Sequence, residues 1–129
     1  MVSDVLQSQR ILRSMRILIV EDEYLLASEL KHMLSDAGAE VIGMTPDCGK
    51  AVALAESCRP DCVISDINLS GDMAYPFARW AMEAGFPLLF VSGYGRASMP
   101  PDLASVALVR KPVDEGQLIS TISALVRPT

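Results

Sequence analysis

The residues of this chain that could do chemistry come directly after short apolar runs. Glu21 and Asp22 follow the run RILIV, Asp66 follows DCVIS, Ser92 follows PLLFV, and Lys111-Pro112 follow VALVR. Each run has the length of a buried β-strand, and the carboxyl ends of parallel strands meet in one crevice, where open α/β sheets bind ligands. Carboxylates, a hydroxyl and an ammonium gathered in one crevice suit phosphoryl transfer with a hard divalent metal ion.

The elements that would position these residues alternate along the chain. Apolar runs predict strands at 16–20, 40–44, 61–65, 87–91 and 106–109. Apolar residues at helical spacing predict helices at 24–37, between Pro46 and Arg59, at 73–84 and at 114–126. Residues 92–101 contain two Gly and two Pro, which leaves room for only a short or irregular fourth helix. Strands that alternate with helices predict an α/β fold with helices on both faces of a mostly parallel sheet.

The composition excludes several classes of function. The chain has 129 residues with a formal net charge of −5, which argues against a nucleic-acid groove because such a groove needs clustered Lys and Arg. No apolar run approaches the roughly 20 residues of a membrane span, and the N-terminus does not resemble a signal peptide. Three cysteines without a CxxC motif are typical of reduced thiols in a cytoplasmic protein rather than of a zinc site. We therefore expect one cytoplasmic domain, with no second domain, no nucleic acid and no membrane as partner.

The motifs at the strand ends together resemble one known family. The runs ILIVEDE, CVISDINLSG and FVSGYG and the dipeptide Lys111-Pro112 are similar, in order and spacing, to the receiver domain of bacterial two-component response regulators. The resemblance covers about residues 15–127. It implies a flavodoxin-like (βα)5 doubly wound parallel sheet with strand order 2-1-3-4-5. We therefore interpret residues 1–14 as an N-terminal extension and residues 15–129 as the receiver domain.

The resemblance also implies roles for the acidic residues. Asp66, at the end of the third strand, is the expected phosphoacceptor. Asp22 and Asp66 are expected to bind Mg²⁺ directly, together with the backbone carbonyl of Asn68, whereas Glu21 would act through a water molecule. Each acid alone would be more typical of a turn or a helix cap, and only their combination at the strand ends favours the functional interpretation.

Two further residues complete the expected site. Ser92 stands where the family has a Thr or Ser that hydrogen-bonds the phosphoryl oxygens after modification. Lys111 would pair with another phosphoryl oxygen as a point charge. The family uses a cis peptide bond before the following proline to direct this lysine into the crevice, so we expect Lys111-Pro112 to be cis.

One departure from the family concerns how phosphorylation is read out. Many receivers carry Tyr or Phe three residues before the active-site lysine, and that ring turns inward on phosphorylation. Here the position is Leu108. The run PLLFVSGYG resembles a subset of stand-alone receivers with a Phe-x-Thr-Gly-Tyr-like motif, which also lack this aromatic residue. We therefore expect Ser92 and Tyr94 to serve as the switch.

The sequence thus predicts a single-domain response regulator. A histidine kinase or phosphotransfer protein would phosphorylate Asp66, and the chain would catalyse only its own phosphorylation and dephosphorylation. Output would occur through contacts with a protein target, and a homodimer could form through the fourth helix, fifth strand and last helix. One alternative is a degenerate receiver that binds proteins without being phosphorylated. Another is a haloacid dehalogenase-type phosphatase, which would need an Asp at the position of Asn68.

Overall fold

The computed structural model describes residues 11–95 and 99–126. Within these residues, five strands form the main sheet: β1 (Arg16–Val20), β2 (Glu40–Thr45), β3 (Cys62–Ser65), β4 (Leu88–Ser92) and β5 (Ala107–Arg110). All neighbouring strands are parallel, and their order is β2-β1-β3-β4-β5. This order confirms the flavodoxin-like sheet that the sequence predicted.

The helices lie where apolar residues recur at helical spacing. They are α1 (Tyr24–Asp36), α2 (Cys48–Cys58), α3 (Tyr75–Glu83) and α4 (Glu115–Val126). The side chain of Asp47 caps α2 by accepting a hydrogen bond of 2.8 Å from the amide of Lys50. After α1 and α3 the chain turns at Gly38 and Gly85, which have φ angles of 98° and 85° that favour glycine.

Helices cover both faces of the sheet, as expected for a doubly wound fold. Side chains of α2 and α3 pack on one face, around Leu18, Val63 and Phe90. Side chains of α1 and α4 pack on the other face, around Ile17, Ile64 and Leu89. The alternation along each strand therefore sends neighbouring apolar residues to opposite cores, so an unbroken apolar run fills both. No helix among the described residues has the length and apolar character needed to cross a membrane.

The loop after β3 differs from the prediction. The helix predicted from residue 73 begins instead at Tyr75, and Met73 belongs to a small antiparallel hairpin of Asn68–Leu69 with Asp72–Met73. Ser70 and Gly71, at its tip, both have positive φ angles, 54° and 95°, as in the two-residue turns that suit hairpins. The apolar side chain of Met73 fits a helical pattern in sequence, but Ser-Gly is a turn dipeptide, and here the turn determines the structure.

The connection from β4 to β5 contains, among its described residues, only a 3-10 helix at Pro101–Leu103. This agrees with the predicted short or irregular fourth helix. Met99, Leu103 and Val106 are buried against the α3 side of the core. Arg79 of α3 forms a two-pronged ion pair with Asp102, with Nε to Oδ2 at 2.6 Å and the second nitrogen to Oδ1 at 3.1 Å. The end of this connection is therefore anchored although it lacks a full helix.

The predicted N-terminal extension, residues 1–14, is described from residue 11 onward. Leu12 is fully buried in the core beside α1 and α4. Its amide donates a hydrogen bond of 3.1 Å to the carbonyl of Ala37. The last residues of the predicted extension therefore pack against the end of α1.

Candidate functional site

The sheet brings the predicted site residues to one edge. Backbone hydrogen bonds continue past the strands, because the amides of Glu21 and Asp66 donate to the carbonyls of Thr45 and Val20, and that of Lys111 donates to Ser92. These bonds align the ends of β2, β1 and β3 with one another and the end of β4 with that of β5. The segments that follow β1, β3, β4 and β5 form a cleft of about 400 Å³, which is lined by Asp22, Glu23, Asp66, Asn68, Ser70, Gly71, Gly93, Tyr94 and Lys111.

Asp66 lies in the floor of this cleft and is 6% exposed. Its Oδ1 accepts hydrogen bonds from the backbone amides of Ile67, at 2.6 Å, and Asn68, at 3.4 Å. Its Oδ2 accepts a hydrogen bond of 2.9 Å from Nζ of Lys111. One oxygen is thus fixed by the backbone, and the other contacts only a flexible cation among the described residues, so the second oxygen is the better placed to react.

The acidic residues form the most negative part of the cleft. One carboxylate oxygen from each of Glu21, Asp22 and Asp66 lies within 4.8 Å of the other two. Glu21 is 5% exposed, and its Oε1 has no hydrogen-bond partner among the described residues. Burial raises the pKa of Glu21 to about 7; the hydrogen bond from the Glu23 amide opposes this rise, and the charge of Asp66 adds to it.

These observations test whether the cleft fits a metal ion. Three clustered carboxylates face a single lysine, so the site carries an uncompensated negative charge, and a buried oxygen is left without a donor. A hard divalent cation with oxygen ligands would supply both the charge and the partner. The cluster of Glu21, Asp22 and Asp66 therefore fits a divalent metal ion such as Mg²⁺.

Asp22 is held by a residue that the sequence did not single out. The hydroxyl of Ser70, at the tip of the hairpin, donates a hydrogen bond of 2.6 Å to Oδ2 of Asp22. This bond lowers the pKa of Asp22 below its ordinary value, since it favours the charged form. The Ser-Gly dipeptide indicates a turn, but its contact with a residue 48 positions earlier is visible only in the folded chain.

Lys111 enters the cleft from the end of β5, and its peptide bond to Pro112 is cis. Its Nζ lies 2.9 Å from Asp66, 3.5 Å from Glu23 and 3.7 Å from Glu21. Burial alone would lower the pKa of Lys111, but the hydrogen bond to Asp66 and the surrounding carboxylates outweigh burial and raise that pKa. The contact with Glu23 was also missed, because only Glu21 and Asp22 were singled out at the end of the first strand.

The predicted switch residues lie on the opposite side of the cleft. Ser92 is fully buried, and its hydroxyl oxygen accepts a hydrogen bond of 3.0 Å from the amide of Tyr94. The Tyr94 side chain is 55% exposed and lines the cleft. Leu108 is partly buried and packs against the core on the α2 and α3 face. Tyr94 therefore shares the cleft with the acceptor, Ser92 lies beneath the loop that carries Tyr94, and Leu108 belongs to the packing of the core.

Comparison with known proteins gives a consistent result. A family model described as the response regulator receiver domain matches residues 17–123. The transcriptional regulatory protein PdtaR of Mycobacterium tuberculosis is 30% identical over 115 residues, which are 86% of this chain and 56% of that protein. This chain therefore corresponds to little more than half the length of PdtaR.

Solved structures show the same similarity. The solution structure of the PhyR receiver domain of Erythrobacter litoralis has a TM-score of 0.79 and 25% identity, covering 92% of this chain and 97% of that chain. The crystal structure of the response regulator PhyR of Brucella abortus has a TM-score of 0.78 and 25% identity, covering 98% of this chain and 53% of that chain.

Proposed function

Because this chain belongs to the response regulator receiver domain family, as its motifs predicted, we propose that it accepts a phosphoryl group on Asp66 in a Mg²⁺-dependent reaction. The donor would be a histidine kinase or a phosphotransfer protein. One observation carries the proposal: the buried carboxylate of Asp66 lies within an acidic cluster and is contacted at 2.9 Å by Lys111. A nucleophile, metal ligands and a cation for the transferred group are thus present together.

The reaction follows from the contacts of Asp66. Its Oδ1 stays on the backbone amides of Ile67 and Asn68, while Oδ2 forms the new bond to phosphorus. The bond between phosphorus and the donor nitrogen breaks, and its electron pair leaves with the donor imidazole. Lys111 then moves from Oδ2 to a phosphoryl oxygen, which keeps the charges paired.

Magnesium would be held by the side chains of Asp22 and Asp66 and the backbone carbonyl of Asn68, with Glu21 acting through a water molecule. When bound, it supplies positive charge that offsets the repulsion between the carboxylates and the incoming phosphoryl oxygens. The chain's own part is to keep Glu21 and Asp22 close to the acceptor and to keep Lys111 within reach.

The readout would begin at Ser92. Its hydroxyl, which accepts a hydrogen bond from the Tyr94 amide, can instead donate to a phosphoryl oxygen, and the loop that carries Tyr94 would move with it. Since Leu108 offers no aromatic ring, the exposed ring of Tyr94 would present the change to a protein target. Acting as a single domain, the chain would signal only through such contacts, including a homodimer through the 3-10 segment, β5 and α4.

The proposal also covers catalysis and location. The chain would act on no substrate other than its own Asp66, so it would be an enzyme only toward its own phosphorylation and dephosphorylation. We place the exchange in the cytoplasm, because kinases that use ATP act there and Cys48, Cys58 and Cys62 are free thiols.

Intact mass measured after incubation with acetyl phosphate and Mg²⁺ tests the proposal. The wild-type chain should gain one phosphoryl group, which hydroxylamine should remove because it is an acyl phosphate. Asp66→Asn should gain none, whereas Asp72→Asn, an exposed aspartate on the nearby hairpin, should behave as wild type. A wild-type chain that gains nothing would instead support the degenerate receiver that binds proteins without phosphorylation.

A further inference from the structure

The tip of the hairpin after β3 contacts the acidic cluster through one hydroxyl group. Ser70 lines the cleft, and its Oγ donates a hydrogen bond of 2.6 Å to Oδ2 of Asp22. Asp22 comes from the end of β1, whereas the hairpin follows the acceptor strand β3. This bond therefore joins the two parts of the chain that supply the expected metal ligands.

The backbone of the hairpin determines where the side chain of Ser70 starts. Ser70 and Gly71 both have positive φ angles, and the amide of Gly71 donates a hydrogen bond of 2.8 Å to the side-chain oxygen of Asn68. Pairing of Asn68 with Met73 and of Leu69 with Asp72 closes the hairpin below the turn. The turn thus brings the hydroxyl within hydrogen-bond distance of Asp22.

Asp22 is the acid whose orientation most needs such support. Glu21 and Asp66 are nearly fully buried, but Asp22 is only partly buried, so packing restrains it less. A carboxylate has about four acceptor positions on its two oxygens, so one bond from Ser70 leaves the others available. Partners that hydrogen-bond a ligating carboxylate orient it, and their loss weakens metal binding by about 10- to 100-fold.

We propose that Ser70 is a positioning residue that orients the carboxylate of Asp22 for a divalent metal ion, and so sets the Mg²⁺ concentration at which Asp66 is phosphorylated. This inference rests on the proposed function of the cleft. Ser70 itself touches neither the metal nor the phosphoryl group. Its effect passes through Asp22, so it should alter the dependence on Mg²⁺ and leave the reaction at saturating Mg²⁺ unchanged.

The test needs variants that separate the hydroxyl from the shape of the turn. Ser70→Gly removes the hydroxyl and makes the positive φ angle easier to adopt, whereas Ser70→Ala removes it without that relief. Ser70→Asn retains a hydrogen-bond donor on a residue that tolerates positive φ. Ser120→Ala is the matched control, because that exposed hydroxyl donates only to the carbonyl of Gln117 in α4.

Calorimetric titration of each protein with Mg²⁺ alone is the primary measurement. Ser70→Gly and Ser70→Ala should bind about tenfold more weakly than wild type, Ser70→Asn should recover part of the loss, and Ser120→Ala should match wild type. With acetyl phosphate, the phosphorylated fraction of Ser70→Gly should be reduced at limiting Mg²⁺ and restored at saturating Mg²⁺.

Three results would overturn the inference: unchanged Mg²⁺ affinity in both hydroxyl-free variants, tighter binding in either, or weaker binding in Ser70→Ala but not in Ser70→Gly. Tighter binding would mean that the hydroxyl competes with the metal, and the third result would mean that only the turn matters. A wild-type chain that binds Mg²⁺ with the predicted dependence on Ser70 but gains no phosphoryl group would uphold the role of Ser70 in metal binding and contradict the proposed function.

Discussion

The two sides of the cleft are built differently. On the acidic side, Ser70 of the hairpin at 68–73 donates a hydrogen bond to Asp22 at the end of β1, and the amide of Ile67 donates one to the side chain of Asp66 at the end of β3. On the switch side, which we define as residues 92–95, Ser92 accepts from the Tyr94 amide and the Gly93 carbonyl accepts from Arg110. A β-carbon placed on Gly93 would meet no described atom within 4 Å.

This difference separates two tasks. The acidic side is fixed by groups that would have to break charge-assisted bonds to move, which suits the holding of a metal ion and a nucleophile. The switch side is open around Gly93 and carries the exposed ring of Tyr94, so its displacement costs little packing. We therefore expect changes on the acidic side to alter the chemistry and changes at Gly93 and Tyr94 to alter signalling alone.

The largest effect should come from Asp22→Ala. It removes a direct ligand and a unit charge, so it should abolish both Mg²⁺ binding in calorimetry and the gain of a phosphoryl group from acetyl phosphate. Asp72→Ala, which removes an exposed acid from the hairpin at 68–73, is the control and should retain both Mg²⁺ binding and phosphorylation. Unchanged Mg²⁺ affinity in Asp22→Ala would contradict our assignment of the ligands.

Lys111→Ala should have the next largest effect, and it should act on only one of the two properties. Its ammonium repels a cation but attracts phosphoryl oxygens, so its loss should impair phosphorylation while leaving Mg²⁺ binding unchanged or slightly tighter. Lys31→Ala, an exposed lysine on α1, is the control. Wild-type phosphorylation and signalling in Lys111→Ala would show that this lysine has no role in the site.

Much of the site could be predicted because apolar runs in the sequence indicate where the strands end. The apolar runs of β1 and β3 place Asp22 and Asp66 at one edge of the sheet without knowledge of the tertiary structure. The contacts of Ser70 with Asp22 and of Glu23 with Lys111 could not be found in this way. They join residues far apart in sequence and depend on a two-residue turn and on the position of a lysine side chain.

The switch side can be tested against the packing behind it. Leu108→Ala should lower the free energy of unfolding by about 2 kcal/mol, because a partly buried side chain is lost from the core. Tyr94→Ala should change it by less than about 0.5 kcal/mol, since its ring is 55% exposed, and should lose target binding without losing phosphorylation. Denaturant unfolding measures the change in the free energy of unfolding for both variants.

Beryllofluoride, which mimics an acyl phosphate, would locate the switch directly. A switch at Ser92 and Tyr94 would pull on the loop that follows, residues 92–104, of which 96–98 lie outside the described residues. Because Leu103 is fully buried and Met99 nearly so, we expect the described part of the resulting changes to concentrate at residues 92–95. Chemical-shift changes confined to β5 around Leu108, with residues 92–95 unaffected, would refute a switch at Tyr94.

Glu21→Gln should stabilise the metal-free protein in a pH-dependent way. The pKa of Glu21 is raised from 4.5 to about 7, because burial in the folded protein favours the protonated carboxyl group. The contribution of this group to the free energy of unfolding is therefore fully present below about pH 4.5 and is lost as the pH rises through about 7. Glutamine carries no charge at either pH. The free energy of unfolding of the variant should therefore exceed that of wild type by about 2 kcal/mol at pH 8 and by much less at pH 5. Denaturant unfolding at both pH values, with exposed Glu56→Gln as control, measures this difference. An equal gain at both pH values would contradict it.

The smallest effect concerns how far a movement of the switch side can spread. The ion pair of Arg79 with Asp102 is exposed, and such pairs add little to global stability. It nevertheless joins α3 to the 3-10 segment, so Arg79→Asp should leave the unfolding midpoint almost unchanged while speeding amide hydrogen exchange at residues 99–106. The swapped variant, Arg79→Asp with Asp102→Arg, should restore slow exchange, and exposed Arg13→Ala should have no effect. With beryllofluoride, changes in Arg79→Asp should extend beyond residue 95, because the segment has then lost its ion pair with α3. Unaltered exchange in Arg79→Asp would mean that this ion pair neither holds the segment nor confines the switch.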